Sequence, residues 1–443
     1  MVARIVCFAG GGNAPSGADR AEFAFSLKPQ YNTGMPSLSD KLKSLGVKVG
    51  TGELPPAPAQ PAHGAPIEVV LDGRFESTRA GETFVFEQTF PADYRHGRAP
   101  LGLAPRLDAL AAWAADPRLL ELPREAYAVL DTETSGLAGG TGTYAFLVGV
   151  GRYEGDAFRL VQYFMRDPAE ESALLEGLAD FLAPAQALVT FNGKAFDAPL
   201  LKTRYRLHGI PVPFDGYAHL DLLPLARRLW RDRLPSRALK YLEENVLEAP
   251  RTVEEVPGFE IPFLYFDYLR SGDAAPLKGV FYHNAMDVVA MAALLSHVSG
   301  ILAEPHTHPH EFGLDVVALA KLFEDLGRWE DAARLYERGL EIGVPEADFP
   351  AALQRLSTLQ RRRGDLEAAV RLWERAAADG HVYAAVELAK YHEHRRRDPQ
   401  AALEWARRAR LLADDPSLPA YVRAHWLAEI DHRLERLAAR TGA

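Results

Sequence analysis

Asp131 and Glu133 stand two residues apart at the end of the apolar run YAVLDTE. In an extended strand that spacing turns both side chains to one face, so the two carboxylates share a site. Asp197 follows the apolar run ALVTF within FNGKAFD, at a strand-to-helix turn of the kind that carries functional groups in α/β sheets. Asp287 lies in the long apolar segment FYHNAMDVVAM beside Val288, Val289, Met291 and Ala292, where burial penalises a carboxylate unless positive charge compensates it. Four such acids brought together would repel. Two hard divalent cations, Mg²⁺ or Mn²⁺, relieve that repulsion and clamp the attacking and leaving oxygens of a phosphodiester. The plainer alternative is that these acids are unrelated caps and turn residues. His283 precedes Asp287 by one helical turn on the same face, where a water-activating base is needed, although an ordinary helix histidine fits the same position.

The segments DTETSGL, FNGKAFD and HNAMD, in that order, resemble the three exonuclease motifs of the DEDD superfamily, specifically its YprB-like ribonuclease H-like branch. The resemblance covers about residues 125–300. It is strengthened by GGTGTYAFLVGVG after the first motif and extends upstream through PADYRHG at residues 91–97. It implies a two-metal site of Asp131, Glu133, Asp197 and Asp287 and 3′-to-5′ hydrolysis of nucleic acid. One departure concerns the general base. The superfamily uses a His five residues before the last Asp or a Tyr four residues before it, whereas here Tyr282 holds the first position and His283 the second. Helical geometry favours His283. Thr134 and Leu137 resemble contacts to the terminal nucleotide, and Asn192 and Lys194 of FNGKAFD are further candidate substrate contacts. The glycines at 139, 140 and 142 suit either close approach of a nucleic-acid backbone or a hairpin turn.

The elements that must position these groups follow from periodicity. YAVLDTE, TYAFLVGVGRY and FRLVQYF predict three successive strands, followed by a helix over 170–182, a strand at ALVTF, a helix over 198–207 and a short strand near His219. A long helix over 277–302 closes the series. That order predicts an α/β ribonuclease H-like domain, a mixed sheet flanked by helices, over residues 125–303. Residues 1–66 read as a flexible N-terminus and Pro-rich linker, with a capped helix from Ser37 or Ser39 and an alternative start at Met35. Residues 67–124 read as a small hairpin and helix region packing on the core, with its helix over 101–122. Over 311–443, GRWEDAARLYER and GDLEAAVRLWER recur at an offset of 37 residues, and AALEWARRA follows at an offset of 33. These offsets bracket the tetratricopeptide (TPR) period of about 34 residues and predict an all-α TPR solenoid that binds a protein partner or self-associates. His306, His308 and His310, interleaved with prolines, read as an interdomain linker rather than a metal site.

Composition narrows the function classes. At 443 residues with 48% hydrophobic and 25% charged residues, the chain fits a multi-domain soluble protein. Its one cysteine, Cys7, excludes an intrachain disulfide and a thiolate metal cluster, and no secretory pattern or uninterrupted apolar span opens the chain, so a cytoplasmic protein without a membrane partner is expected. A net charge of -10 argues against non-specific coating of nucleic acid. Residues 194–240 nevertheless hold ten basic residues against four acids, with Tyr205 and Trp230 interleaved, which suits phosphate contacts and base stacking as well as a solvated helix face. Asp221 resembles a supporting acid rather than a metal ligand. Single-stranded DNA or RNA ends are the expected substrate. Internal cleavage of structured nucleic acid, or an idle scaffold that binds nucleic acid and protein, are the alternatives.

Overall fold

The computed structural model describes residues 64–91, 93–103, 106–136, 142–252, 254–345 and 347–441. The expectations for residues 1–63, Leu137 and residues 139–141 fall outside the described residues.

After a short helix α1 (Ile67–Val70), the chain forms β1 (Arg74–Thr78), β2 (Gly81–Phe90) and the small ribbon β3 (Arg95–His96) with β4 (Ala99–Pro100). The helix expected over 101–122 is confined to α2 (Asp108–Ala114). Ala115 adopts a left-handed backbone (φ 51°) that ends it, and Pro117 then opens a separate 3₁₀ turn capped by Asp116. The central elements are β5 (Tyr127–Thr134), β6 (Ala145–Glu154), β7 (Ala157–Phe164), α3 (Glu171–Leu182), β8 (Ala187–Thr190), α4 (Asp197–Leu207), β9 (Ala218–Asp221), α5 (Leu222–Trp230), α6 (Leu239–Asn245), α7 (Ile261–Ser271) and α8 (Leu277–Ala303).

Seven strands form one sheet in the order β1-β2-β7-β6-β5-β8-β9. β5, β8 and β9 run parallel and the remaining pairs antiparallel, giving the mixed sheet expected from the element order. β2 hydrogen-bonds to β7 along its length, so the upstream hairpin extends this sheet rather than forming a separate layer. Strand alternation sorts the core. Tyr127 and Val129 face one way, toward Leu220, Trp230 and the C-terminal half of α8, while Ala128 and Leu130 face Leu174, Leu178 and Leu201 on the other side.

α8 crosses the sheet and is apolar on nearly all sides because it is a core helix. By length and composition it would pass as a membrane span, but 72% of its most apolar window is buried inside the protein. Beyond it the described residues form seven α-helices: α9 (Gly313–Asp325), α10 (Trp329–Ile342), α11 (Phe349–Arg362), α12 (Leu366–Ala378), α13 (Val382–Tyr391), α14 (Pro399–Ala413) and α15 (Ala420–Thr441). Each packs on its neighbour in sequence. Ala332, Ala333, Ala369 and Ala402 are fully buried at these contacts, as close helix packing requires.

Candidate active site

β5 lies inside the sheet between β6 and β8, and its alternation carries Asp131 and Glu133 onto the face crossed by α8. β8 pairs with β5 in parallel, Val129 opposite Val189, so the turn after β8 is level with Asp131 and delivers Asp197 at the start of α4. α8 brings His283, Asn284 and Asp287 over the same end of the sheet. The four acids named from sequence thus come from three elements and act on one another electrostatically. Burial raises Asp131 well above the usual carboxylate range, with Asp287, Glu133 and Asp197 adding to it. Burial likewise pushes Glu133 up to about 8, opposed by His283 and reinforced by Asp287 and Asp197. Asp197 is raised by burial, partly offset by a hydrogen bond from the Thr132 hydroxyl at 2.5 Å.

His283 lies between Glu133 and Asp287, its Nε2 3.7 Å from one carboxylate and 3.5 Å from the other. Its Nδ1 is 3.1 Å from the carbonyl of Val256 and 3.0 Å from Glu255. A carbonyl only accepts, which assigns the Nδ1 proton and leaves Nε2 as the nitrogen facing the acids. Burial alone would lower the imidazole pKa, but the hydrogen bond to Glu255 and the charges of Asp287 and Glu133 overcome it and raise it to about 9. Tyr282 points elsewhere, its hydroxyl accepting from the backbone N–H of Thr252 at 3.0 Å. Of the two adjacent candidates for the base, only His283 faces the acids.

Several residues that sequence reasoning passed over complete the site. Asn284 donates from Nδ2 to Asp131 at 2.9 Å while its Oδ1 accepts from Gln162 at 2.8 Å, which fixes the orientation of the amide. Gly149 sits opposite Asp131 on β6, and a Cβ there would stand 2.3 Å from Asn284 Oδ1, so only glycine lets Asn284 in. Arg251, 2% exposed, reaches Glu243 at 2.6 Å and Glu255 at 3.0 Å, and also binds Asp287. Glu243 in turn meets His96 of β3 at 2.6 Å. One sequence signal was present: Gln162 stands in an otherwise apolar strand run, and a polar residue in such a run marks a buried contact. Arg251 gave none, because it lies in an irregular loop.

Asp221 caps α5 and accepts from the backbone N–H groups of Asn192 at 2.7 Å and Lys194 at 3.2 Å. It therefore shapes the turn ahead of Asp197, with Asn192 held at a left-handed φ of 68°. Thr134 ends β5, its hydroxyl bonded to the Gly136 carbonyl. The basic stretch is mostly paired: Lys202 with Asp215, Arg204 with Glu171, Arg228 with Asp325, Arg231 with Asp232, Arg233 with Asp315 and Lys240 with Glu255. Base stacking by Tyr205 and Trp230 is overturned, since both are buried in the core. In the 304–312 connection, His306 pairs with Asp331 and His310 donates from Nε2 to the Pro305 carbonyl.

Residues 128–299 match the RNase_H_2 family, described as RNase_H superfamily. YprB of Bacillus subtilis (strain 168), an uncharacterized protein, is 38% identical over 284 residues, covering 62% of this chain and 67% of that relative. The chain belongs to the ribonuclease H-like family that includes YprB. A solved structure with partial similarity is the family B DNA polymerase of the hyperthermophilic archaeon Pyrobaculum calidifontis, with a TM-score of 0.31 and 16% identity. That match covers 49% of this chain, which spans 29% of the polymerase. As a member of the ribonuclease H-like family, the chain carries its acids where β5, the turn after β8 and the crossing helix α8 meet.

The donor set has the chemistry that hard divalent cations require: carboxylate oxygens, buried, with like charges raising one another's pKa. Among the described residues, however, no three His, Asp or Glu side chains stand in a ligating arrangement. Asp197 is turned to Thr132 and Asp287 to Arg251.

Proposed function

We propose that this chain is a metal-dependent nuclease that removes nucleotides from the 3′ ends of single-stranded DNA or RNA, using Asp131, Glu133, Asp197 and Asp287 for Mg²⁺ or Mn²⁺ and His283 as general base. The observation that carries it is the convergence of those four acids with the Nε2 of His283 between Glu133 and Asp287. Two bound divalent cations supply charge neutralisation and activation of water for an in-line displacement. The chain's own part is to hold the acids, to keep the imidazole oriented through Val256 and Glu255, and to take a proton at Nε2. His283 is cationic while the acids around it are uncompensated, and it returns toward its ordinary range, able to accept a proton, once their charge is offset. Thr134, Leu137, Asn192 and Lys194 are the proposed contacts to the terminal nucleotides. The helical region after residue 311 is the proposed TPR arm for a protein partner or a second copy, in a protein acting in the cytoplasm.

The test is a digest of end-labelled single-stranded, double-stranded and covalently closed circular DNA and RNA with Mg²⁺ or Mn²⁺, alongside Asp131→Ala. Stepwise release from 3′ ends that needs Asp131 is expected. Cleavage of the closed circle would replace the exonuclease reading with an endonuclease one, and binding without any release in either metal would remove the enzymatic reading.

A further inference from the structure

Beside the acids, a groove of about 390 Å³ opens along the turn after β8, lined by Phe191, Asn192, Leu223, Arg227, Arg237 and Ala238. We infer that this groove is a phosphate-binding track for the single nucleic-acid strand leading to the acids, with Arg227 and Arg237 as its anion contacts. The inference rests on the nuclease reading and names the part of the surface that holds the strand away from the cut.

Placement is the first support. The β5–β8 register sets Val129 against Val189, so Phe191 continues level with Asp131, and Asn192 follows five residues before Asp197. Asp221 fixes this wall by accepting from the N–H groups of Asn192 and Lys194, and it is close enough to Asp197 to raise its pKa. On the opposite wall, Leu223 and Arg227 lie one turn apart on α5, which puts them on one face, and Arg237 with Ala238 closes the loop into α6.

The second support is the charge pattern. Six other basic residues of this stretch are each held by a carboxylate, as described above. Among the described residues the other four, Lys194, Arg206, Arg227 and Arg237, have no carboxylate partner, and of these Arg227 and Arg237 line the groove. Arg237 donates from one terminal nitrogen to the Leu234 carbonyl and keeps a buried Nε without a partner. Arg227 is exposed and, among the described residues, makes no ion pair. Two guanidinium groups facing one groove in a chain of net charge -10 make a local positive site, and planar guanidinium forks match phosphate oxygens in pairs. The volume lies within the range of small-ligand pockets, ~300–1,000 Å³, so it takes a short stretch of sugar-phosphate backbone rather than the face of a duplex. The half-buried ring of Phe191 offers an apolar floor beside the track.

The experiment compares the wild type with the double variant Arg227→Ser, Arg237→Ser in the full chain. Binding of fluorescent twelve-nucleotide DNA and RNA strands is measured in EDTA across salt concentrations. Hydrolysis in Mn²⁺ is measured on the same strands and on the p-nitrophenyl ester of thymidine 5′-monophosphate, which is too short to occupy the track. The salt dependence of log affinity is expected to fall by about 0.7 per arginine, and the loss in kcat/KM to be at least ten times greater on the strands than on the ester, mainly through KM. An unchanged salt slope, or equal losses on strand and ester, overturns the track. If the wild type hydrolyses neither substrate, the nuclease reading falls while the salt slope still reports on the groove.

Discussion

His283 presents one nitrogen to the acids and the other to a carbonyl, and that asymmetry defines what the side chain can do. Because Val256 and Glu255 hold the Nδ1 proton, only Nε2 can receive one from a water near Glu133 and Asp287. Replacing His283 with Gln is expected to lower kcat by ~10²–10⁴ while the rise in Tm on adding Mn²⁺ persists. A variant that keeps full turnover would transfer the base role elsewhere, whereas Tyr282→Phe should affect turnover little, its hydroxyl serving only the Thr252 N–H. The Gln162–Asn284–Asp131 chain depends on a missing atom. At Gly149 an added Cβ would collide with the Asn284 amide, and because that amide is locked between two partners it cannot yield cheaply. Gly149→Ala should cost about 1–3 kcal/mol in urea unfolding and depress turnover with it; a variant as stable and active as the parent would show that Asn284 has another place to go.

At the scale of elements, the site is where β5, the β8–α4 turn and α8 meet, and most of that was legible. The i, i+2 acids, the turn at FNGKAFD and the apolar helix around Asp287 all carry local patterns, so strand period and helix period announce them. What stayed hidden has no period. Arg251 comes from an irregular loop, yet it sits buried among Glu243, Glu255 and Asp287, and through Glu243 it ties the site to His96 on the β3–β4 ribbon. Trp230 and Tyr205 misled for the reverse reason, since spacing among basic residues cannot reveal that their rings turn inward. The helix expected over 101–122 failed because a left-handed Ala115 is not announced by composition. Removing Arg251 leaves three acids without their shared cation, and breaking a buried pair typically costs about 3–5 kcal/mol. Arg251→Met is therefore expected to unfold at markedly lower urea concentration, and Glu243→Gln, which touches none of the four proposed metal ligands, should weaken Mn²⁺ binding by loosening Arg251. Calorimetry showing unchanged Mn²⁺ affinity in a folded Glu243→Gln protein would detach Arg251 from the site.

On the scale of the whole molecule, one buried cluster runs from the sheet through Trp230 and α8 into Val316, Phe323, Tyr336 and Leu356, so the first helices after the linker share the ribonuclease H-like core. Ion pairs Arg233–Asp315 and Lys321–Asp232 cross the same boundary. Deleting residues 311–443 should leave an insoluble protein, while deleting only 364–443 keeps that cluster covered and should yield a folded one; equal solubility of the two would mean the sheet can close its core alone. The charge balance of the acid site makes a further demand on the whole fold. Without cations, Glu133 has a pKa of about 8 against an ordinary 4.5, so its contribution to stability is intact below about 4.5 and is lost as pH rises through 8. Asp131 and Asp197 are displaced in the same direction. His283, at about 9 against 6.5, contributes fully below 6.5 and loses its contribution as pH rises through 9. Only Glu255, lowered by His283 and Arg251 against its burial, runs the other way, and its window lies below 4.5. All four raised groups thus weaken the fold between pH 5 and 9, and in EDTA the Tm should fall across that interval by on the order of 5 °C or more. Because metal must replace protons on the acids, Mn²⁺ should restore the loss, by an increment that grows with pH. Thermal melts at pH 5, 7 and 9, with EDTA and with Mn²⁺, read both slopes at once; a Tm in EDTA that holds level or climbs toward pH 9 would mean that the carboxylates are not crowded as the fold implies.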